Sequence, residues 1–228
     1  MIRSLTEEAP RIVTPPQRRI SFWAALLVIV IFHAVGFWGL QFSGRPTYFQ
    51  ELTPLNLLLT NVLLFSLHRH WNWPFIAFAV TTVVVGFLAE VLGIHTGLLF
   101  GNYNYGAALG LKLWDVPLLI GLNWLLLVYT TGTIVNRLSQ NLLIKAAAGA
   151  GLMVLYDFFM EPVAMQYDFW SWQNDQIPLS NYLGWLGLAF VLQLFFHRTD
   201  TWKQNPLAPW VYVVQLLFFI GLYLFLVM

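Results

Sequence analysis

Cysteine is absent from this chain of 228 residues, and charged residues make up only 9% of it. The absence of cysteine excludes a disulfide framework, a thiolate nucleophile and a cysteine-based metal site. A typical soluble domain contains about 25% charged residues. The low charge and the 59% of hydrophobic residues therefore indicate an integral membrane protein. The net charge of +1 provides no basic surface, so nucleic acid is not an expected partner.

Several signatures of metal and nucleotide chemistry are also missing. There is no HExxH motif, and no two histidines stand at i, i+3 or i+4 spacing, which argues against zinc or diiron chemistry. Neither a GxGxxG fingerprint nor a Walker lysine motif occurs, so nucleotide binding is not expected. The last apolar run contains no lysine, which disfavours a retinal Schiff base. We therefore expect no metal site.

Long apolar runs dominate what the sequence does contain. The first, at about residues 20–42, is too long for a signal-peptide core and predicts a retained membrane span. The fold class is therefore all-α, a polytopic membrane helix bundle with about seven transmembrane helices in a single domain over 20–228. Residues 1–19, rich in proline and arginine, predict a disordered cytoplasmic tail. The other runs lie at about 52–68, 73–93, 116–136, 142–161, 179–197 and 207–227.

The distribution of basic residues predicts the orientation of these spans. With the N-terminus in the cytoplasm, nine of the eleven lysines and arginines fall on the cytoplasmic side, and only Arg45 and Lys112 fall outside. This agrees with the positive-inside rule. We therefore expect a multi-pass protein of the cell (inner) membrane with a cytoplasmic N-terminus and an external C-terminus.

Two acidic residues near the end of the fifth run form the sharpest candidate site. Asp157 and Glu161 are four residues apart and share one helix face, and the helix is predicted to stop at Pro162. Carboxyl groups at this depth in a membrane bundle are costly and indicate function. A protonated acid beside an ionised one is suited to general acid–base catalysis. The alternative is a pair of solvated acids at a helix end.

Two further acids are weaker candidates. Glu90 lies in the apolar segment FLAEVLG, and its alternative is a charge neutralised by a neighbouring helix. Asp115 precedes a predicted helix with Pro117 near its start, where a structural N-cap is the alternative to a catalytic role.

The chain also contains a candidate internal repeat. Counted along the chain, helix pair 3–4 (about 73–93 and 116–136) resembles helix pair 5–6 (about 142–161 and 179–197). Each pair has an acid near the end of its first helix and then an aromatic loop, GNYNYG or YDFWSW. A tryptophan follows a proline by seven residues in both, at Trp124 and Trp185. Such a repeat would bring the acidic helix ends together around one cavity. The alternative is coincidence in a chain rich in tryptophan.

The order of these motifs resembles the carotenoid hydratase family of the CruF type, which includes bisanhydrobacterioruberin hydratases and carotenoid 1,2-hydratases. The resemblance extends from about Glu90 to Trp185, through EVLG, FGNYNYG, LWDVPLLIGLNW, YDFFMEPVA and NYLGW. It implies a cofactor-independent hydration, in which water adds across the C1=C2 double bond of an acyclic carotenoid end group. The implied partners are a carotenoid such as lycopene or γ-carotene, membrane lipid and other carotenoid biosynthesis enzymes.

We assign roles to residues from their chemistry. The acids would protonate the alkene and remove a proton from water, and aromatic faces would stabilise the intermediate cation. A carotenoid cyclase and a non-catalytic membrane subunit that binds an apolar ligand remain the alternatives. The catalytic candidates are Asp157, Glu161, Glu90 and Asp115. The substrate-binding candidates are Tyr103, Tyr105, Trp124, Tyr156, Trp170 and Trp172.

Overall fold

The computed structural model describes residues 21–228, so the tail predicted for residues 1–19 lies outside the described residues. The architecture is a bundle of helices with a few short strands at one end, which confirms the all-α class. The helices are α1 Phe22–Phe42, α2 Pro46–Glu51, α3 Thr53–Ser66, α4 Trp73–Thr96, α5 Leu119–Val135, α6 Leu142–Gln166, α7 Leu179–Arg198 and α8 Ala208–Val227.

Five of these helices, α1, α4, α6, α7 and α8, are long and apolar enough to cross a membrane. A helix needs about 20 residues to span the hydrocarbon core. The apolar helix α5 has 17 residues and α3 has 14. The structure therefore supports a multi-pass membrane protein, whereas the count of seven spans and the orientation stay predictions.

Helix α6 does not stop at Pro162, as the sequence predicted, but continues to Gln166 with the proline inside it. Proline removes one backbone donor and crowds the carbonyl four residues earlier. In apolar surroundings, however, ending the helix would leave still more backbone groups unpaired, and transmembrane helices tolerate proline because neighbouring groups or a local backbone adjustment satisfy the few that it frees. The consequence is that Asp157 and Glu161 lie within the helix and not at its end.

Helix α5 is the centre of the bundle and packs against α4, α6, α7 and α8. Thirteen of its 17 residues are buried. Close packing is visible where α5, α6 and α7 meet. Gln193 Nε2 donates to the Val128 carbonyl at 3.0 Å, and a Cβ on Gly149 would lie 2.7 Å from the Gln193 side chain. Small residues at such crossings allow membrane helices to approach closely.

Two of the four short strands form a ribbon over the end of the bundle where α4 and α6 finish. Strand β1, Tyr103–Tyr105, pairs antiparallel with β4, Trp170–Trp172. Tyr103 is opposite Trp172, and Tyr105 is opposite Trp170. We call this pair the β1–β4 ribbon. It joins the two aromatic loops that the candidate repeat relates.

Asp115 lies in a tight turn and does not cap α5, which is a second correction. Strands β2, Lys112–Leu113, and β3, Val116–Pro117, form a hairpin. The two residues between them, Trp114 and Asp115, have φ angles of 50° and 65°, as a two-residue hairpin turn requires. The N-cap of α5 is Leu118. Hairpin geometry therefore determines the position of Asp115.

Candidate active site

Three buried carboxyl groups lie near the β1–β4 ribbon. Glu90 on α4 is 4% exposed, and Asp157 and Glu161 on α6 are 0% and 2% exposed. A buried charge is costly unless it is paired or hydrogen-bonded. Between residues 21 and 228, the one contact between an acidic and a basic side chain within ion-pair distance is His95 with Asp115, at 4.0 Å, and it does not involve these three acids. The three buried carboxyl groups are therefore stabilised by neutral donors.

Glu90 accepts hydrogen bonds from three aromatic side chains. Tyr103 Oη and Tyr105 Oη donate to its Oε2 at 2.5 and 2.9 Å. Trp124 Nε1 donates to its Oε1 at 2.9 Å. Burial, together with the nearby Glu90 charge, raises the pKa of both tyrosines above the ordinary value. Their hydroxyl groups therefore stay protonated and remain donors.

Glu161 has a similar set of donors. Trp170 Nε1 and Trp172 Nε1 donate to its Oε2 at 2.8 and 2.6 Å, and Asn181 Nδ2 donates to its Oε1 at 3.0 Å. As with Glu90, two donors come from the strand that follows the helix and one comes from the next helix. Side chains two apart in a strand share a face, which explains the spacing of 103 with 105 and of 170 with 172. This similarity supports the predicted repeat.

Asp157 is connected to Glu161 through a shared amide. Asn181 Nδ2 donates to Asp157 Oδ2 at 2.8 Å as well as to Glu161. The two carboxyl groups are one helical turn apart on the same face of α6. The other oxygen of Asp157, Oδ1, is buried and has no donor among residues 21–228. Asp157 therefore has an oxygen that can hold a proton.

A small cavity of about 30 Å³ separates Glu90 from Glu161. By the same measure one water needs about 10–15 Å³, so the cavity has room for one or two waters. Trp124 stacks on Trp185 at its wall, with ring centroids 4.5 Å apart. We call this space the acidic cavity. It is lined by Glu90, Phe100, Tyr103, Tyr105, Ile120, Asn123, Trp124, Met160, Glu161, Trp170, Trp172, Asn181 and Trp185.

A larger cavity of about 170 Å³ lies between α1, α3, α6 and α8. Its lining is mostly apolar and includes Tyr156. Phe32 and Leu55 on its rim are 43% and 58% exposed, so this space opens toward the surface that lipid would cover. We call it the lateral cavity. Tyr156, a predicted substrate-binding residue, is part of this second space and not of the acidic cavity.

The structure brings most of the predicted site residues together. Asp157 lies just behind the acidic cavity. Asp115 does not join the cluster, because its side chain is 78% exposed in the hairpin turn beside His95. The predicted residues that line the acidic cavity are Glu90, Glu161, Tyr103, Tyr105, Trp124, Trp170 and Trp172.

Sequence reasoning missed Asn181 as a member of the site. It is 1% exposed, and its amide is the link between Asp157 and Glu161. The available signal was a polar residue in the first turn of an apolar helix, three positions after Pro178. Asn123 and Trp185 also line the acidic cavity but were not predicted site residues. The sequence showed Asn123 only as a polar residue of an apolar helix and Trp185 only as one of the two repeated tryptophans.

The donors around the carboxyl groups are N–H and O–H groups, which bind carboxylate oxygens. Among residues 21–228, no group of three or more His, Cys, Asp or Glu side chains is arranged to hold a metal ion. The arrangement is suited to moving protons in a confined apolar space.

The fold and the site together define a multi-pass membrane protein with a buried acidic centre. A family model described as "Carotenoid biosynthesis protein" matches residues 53–228, and the chain belongs to this family. It is 30% identical over 115 residues to the bisanhydrobacterioruberin hydratase of Haloarcula japonica. That match covers 47% of this chain and 39% of the relative, so it spans less than half of the relative's length. These findings confirm the resemblance to carotenoid hydratases. No solved structure matches the chain.

Proposed function

We propose that this protein is a carotenoid hydratase that adds water across the C1=C2 double bond of an acyclic carotenoid end group. The product is a tertiary 1-hydroxy carotenoid. The observation that carries the proposal is the cluster of Glu90, Asp157 and Glu161 beside a water-sized cavity in an apolar bundle. Family membership and the name of the hydratase relative support a carotenoid hydratase in general.

The hydrogen bonds suggest which carboxyl groups are acid and base. Glu90 and Glu161 each accept three hydrogen bonds, which suits an ionised carboxylate, because it is an acceptor only. Asp157 accepts one from Asn181, and its Oδ1 has no donor among the described residues. The proton of the acidic pair therefore resides on Asp157 and can pass to Glu161.

The reaction proceeds in two steps. Glu161 transfers the proton that it receives from Asp157 to C2 of the alkene, and a tertiary cation forms at C1. Water then attacks C1 while Glu90 accepts the proton that the water releases. A proton returns from Glu90 to the Asp157–Glu161 pair, so one water is added and no cofactor is consumed. The face of Trp124 stabilises the cation.

The chemistry also requires a dry site, because bulk water would replace the alkene as proton acceptor. The carotenoid end group enters beneath the β1–β4 ribbon, and the polyene extends between helices in the apolar part of the bundle. This arrangement suits an enzyme of the cell inner membrane that receives its substrate from the lipid phase or from other carotenoid biosynthesis enzymes.

Expression in a bacterium that accumulates lycopene or γ-carotene tests the proposal, with extracted pigments separated by chromatography and identified by mass spectrometry. We expect a product heavier by one water. Asp157→Asn should abolish it, whereas Asp200→Asn, an exposed acid outside both cavities, should not. A product of unchanged mass would instead indicate a cyclase. Unaltered pigment, with the protein verified in the membrane, would favour a non-catalytic subunit.

A further inference from the structure

Three polar groups of the acidic cavity are not used to stabilise carboxylates. They are the Asn123 side-chain amide, Trp185 Nε1 and Asn181 Oδ1, and all three residues line the cavity. None of these atoms forms a hydrogen bond with residues 21–228, and none is sealed from a water molecule. The other N–H and O–H donors of the lining are bound to the buried carboxyl groups; they are Asn181 Nδ2 and the donors of Tyr103, Tyr105, Trp124, Trp170 and Trp172.

We propose that Asn123 holds the water that attacks the carotenoid cation, with Trp185 Nε1 and Asn181 Oδ1 as further partners. This inference rests on the proposed hydration. A buried water needs about two to four polar partners and about 10–15 Å³, and these three groups and the 30 Å³ of the cavity meet both requirements. Ile120, Asn123 and Trp124 all line the cavity, because residues three and four apart share a helix face.

A fixed water matters because the cation has two fates. When water attacks C1, a C–O bond forms, one water proton passes to Glu90, and the alcohol results. When no water is in position, a C–H bond next to the cation breaks, its proton returns to a carboxylate, and an alkene is regenerated. Asn123 therefore acts after protonation, by deciding how the cation is consumed. Positioning of a reactant is a recognised source of rate enhancement.

Solvent deuterium separates these two steps. In D2O, each protonation event that reverts to an alkene can leave deuterium in recovered substrate, whereas each completed hydration gives the heavier alcohol. Asn123→Leu has a similar shape without the polar amide. We expect it to lower hydration by at least about 30-fold and to keep deuterium incorporation within about threefold of the wild-type protein.

Two variants keep the test informative. Trp185→Phe preserves an aromatic ring against Trp124 but removes the N–H donor, and we expect hydration to fall by about three- to tenfold without loss of deuterium incorporation. Asn61→Leu is the matched control. Asn61 donates to the Leu57 carbonyl of its own helix and lines neither cavity, so both readouts should remain at the wild-type level.

The outcomes distinguish the water site from the proposed function. Hydration by Asn123→Leu within twofold of wild type would overturn the role of Asn123. The role would also be overturned if, at wild-type protein levels, deuterium incorporation fell as much as hydration did in both Asn123→Leu and Trp185→Phe. If the wild-type protein neither hydrates nor exchanges lycopene or γ-carotene, the proposed function itself fails, and the water site fails with it.

Discussion

At the scale of single residues, aromatic side chains take the place of cations around the buried acids. Trp Nε1 is a donor only and Tyr Oη is a donor when protonated, and each is carried by a large apolar ring that suits a membrane interior. Glu90 and Glu161 receive five of their six hydrogen bonds from such groups. A lysine or arginine in the same place would form an ion pair. Neutral donors hold a carboxylate in position while it remains free to exchange a proton.

Glu90→Gln tests the base. The amide keeps the size of the side chain but cannot accept a proton from water, so hydration should fall by about 10²–10⁴-fold. Pigment conversion in membranes of equal protein content gives the measurement. Glu51→Gln, at the exposed end of α2, is the matched control and should retain full conversion. Comparable conversion by Glu90→Gln and the wild type would exclude Glu90 as the base.

His68 predicts a pH dependence of stability at the other end of the bundle. It stacks on Phe75, with ring centroids 3.8 Å apart, and its Nδ1 is 2.7 Å from Tyr129 Oη. Burial lowers the pKa of His68 from 6.5 to about 4. The unfolded chain therefore binds a proton more readily than the folded protein between these values. The contribution of His68 to stability should be complete above pH 6.5 and decline as the pH falls toward 4.

Thermal unfolding in detergent between pH 4 and pH 7 measures this decline. His68→Phe removes the titrating group and keeps an aromatic ring against Phe75, so its midpoint should depend less on pH than that of the wild-type protein. Parallel curves for His68→Phe and the wild type would contradict the assignment.

At the scale of elements, the helices were predictable and the ribbon was not. Long apolar runs report membrane helices directly, and the expected runs at 142–161 and 179–197 recur as α6, Leu142–Gln166, and α7, Leu179–Arg198. The extension of α6 past Pro162 was missed, because proline usually ends a helix in water but not in a bundle without water.

The pairing of β1 with β4 depends on residues that are about 70 positions apart in the chain. Both strands are only three residues long, too short for an alternating pattern to stand out. The acids and aromatic residues of the site could therefore be named from the sequence, whereas the hydrogen bonds between them could not be predicted. Asn181 was missed for the same reason, since its importance arises from two carboxyl groups on another helix.

The ribbon can be tested by a crosslink. Asn104 and Ser171 are directly opposite each other and exposed, and opposite residues of antiparallel strands are close enough for a disulfide. The chain has no cysteine, so an Asn104→Cys/Ser171→Cys variant contains a single thiol pair. We expect an intramolecular disulfide on oxidation, seen as a gel-mobility shift that reductant reverses.

The same variant tests whether the ribbon moves during catalysis. The acidic cavity has a volume of about 30 Å³, which is too small for the branched end group of the proposed carotenoid substrate. If that end group enters beneath the ribbon, as we propose, the ribbon has to open to admit it. The oxidised variant should convert pigment at least about tenfold more slowly than its reduced form. Each single-cysteine variant should be insensitive to reductant. Full activity in the crosslinked protein would mean that substrate enters by another route.

At the scale of the whole molecule, the loops divide between two ends that differ in charge. Asn72 Nδ2 bonds to the Asp200 carbonyl, and Arg69 lies over the ring of Trp202, so the loops before α4 and after α7 meet at one end. The loops that carry β1 and β4 meet at the other end. Basic residues are in excess at the first end, with Arg69, Arg198 and Lys203 against Asp200. Acidic residues are in excess at the ribbon end, with Asp115, Asp168 and Asp175 against Lys112. The positive-inside rule then predicts that the ribbon faces outward.

Thiol labelling in intact cells tests this orientation, again because the chain lacks cysteine. Gln176 lies in the loop after the ribbon and Gln140 in the loop between α5 and α6, and both are exposed. A membrane-impermeant maleimide should label Gln176→Cys in intact cells but should label Gln140→Cys only after the cells are permeabilised. The reverse pattern would mean that the acidic cavity opens toward the cytoplasm. Labelling of both variants in intact cells would mean that α6, the long helix between the two loops, does not cross the membrane, which would contradict the expected number of spans.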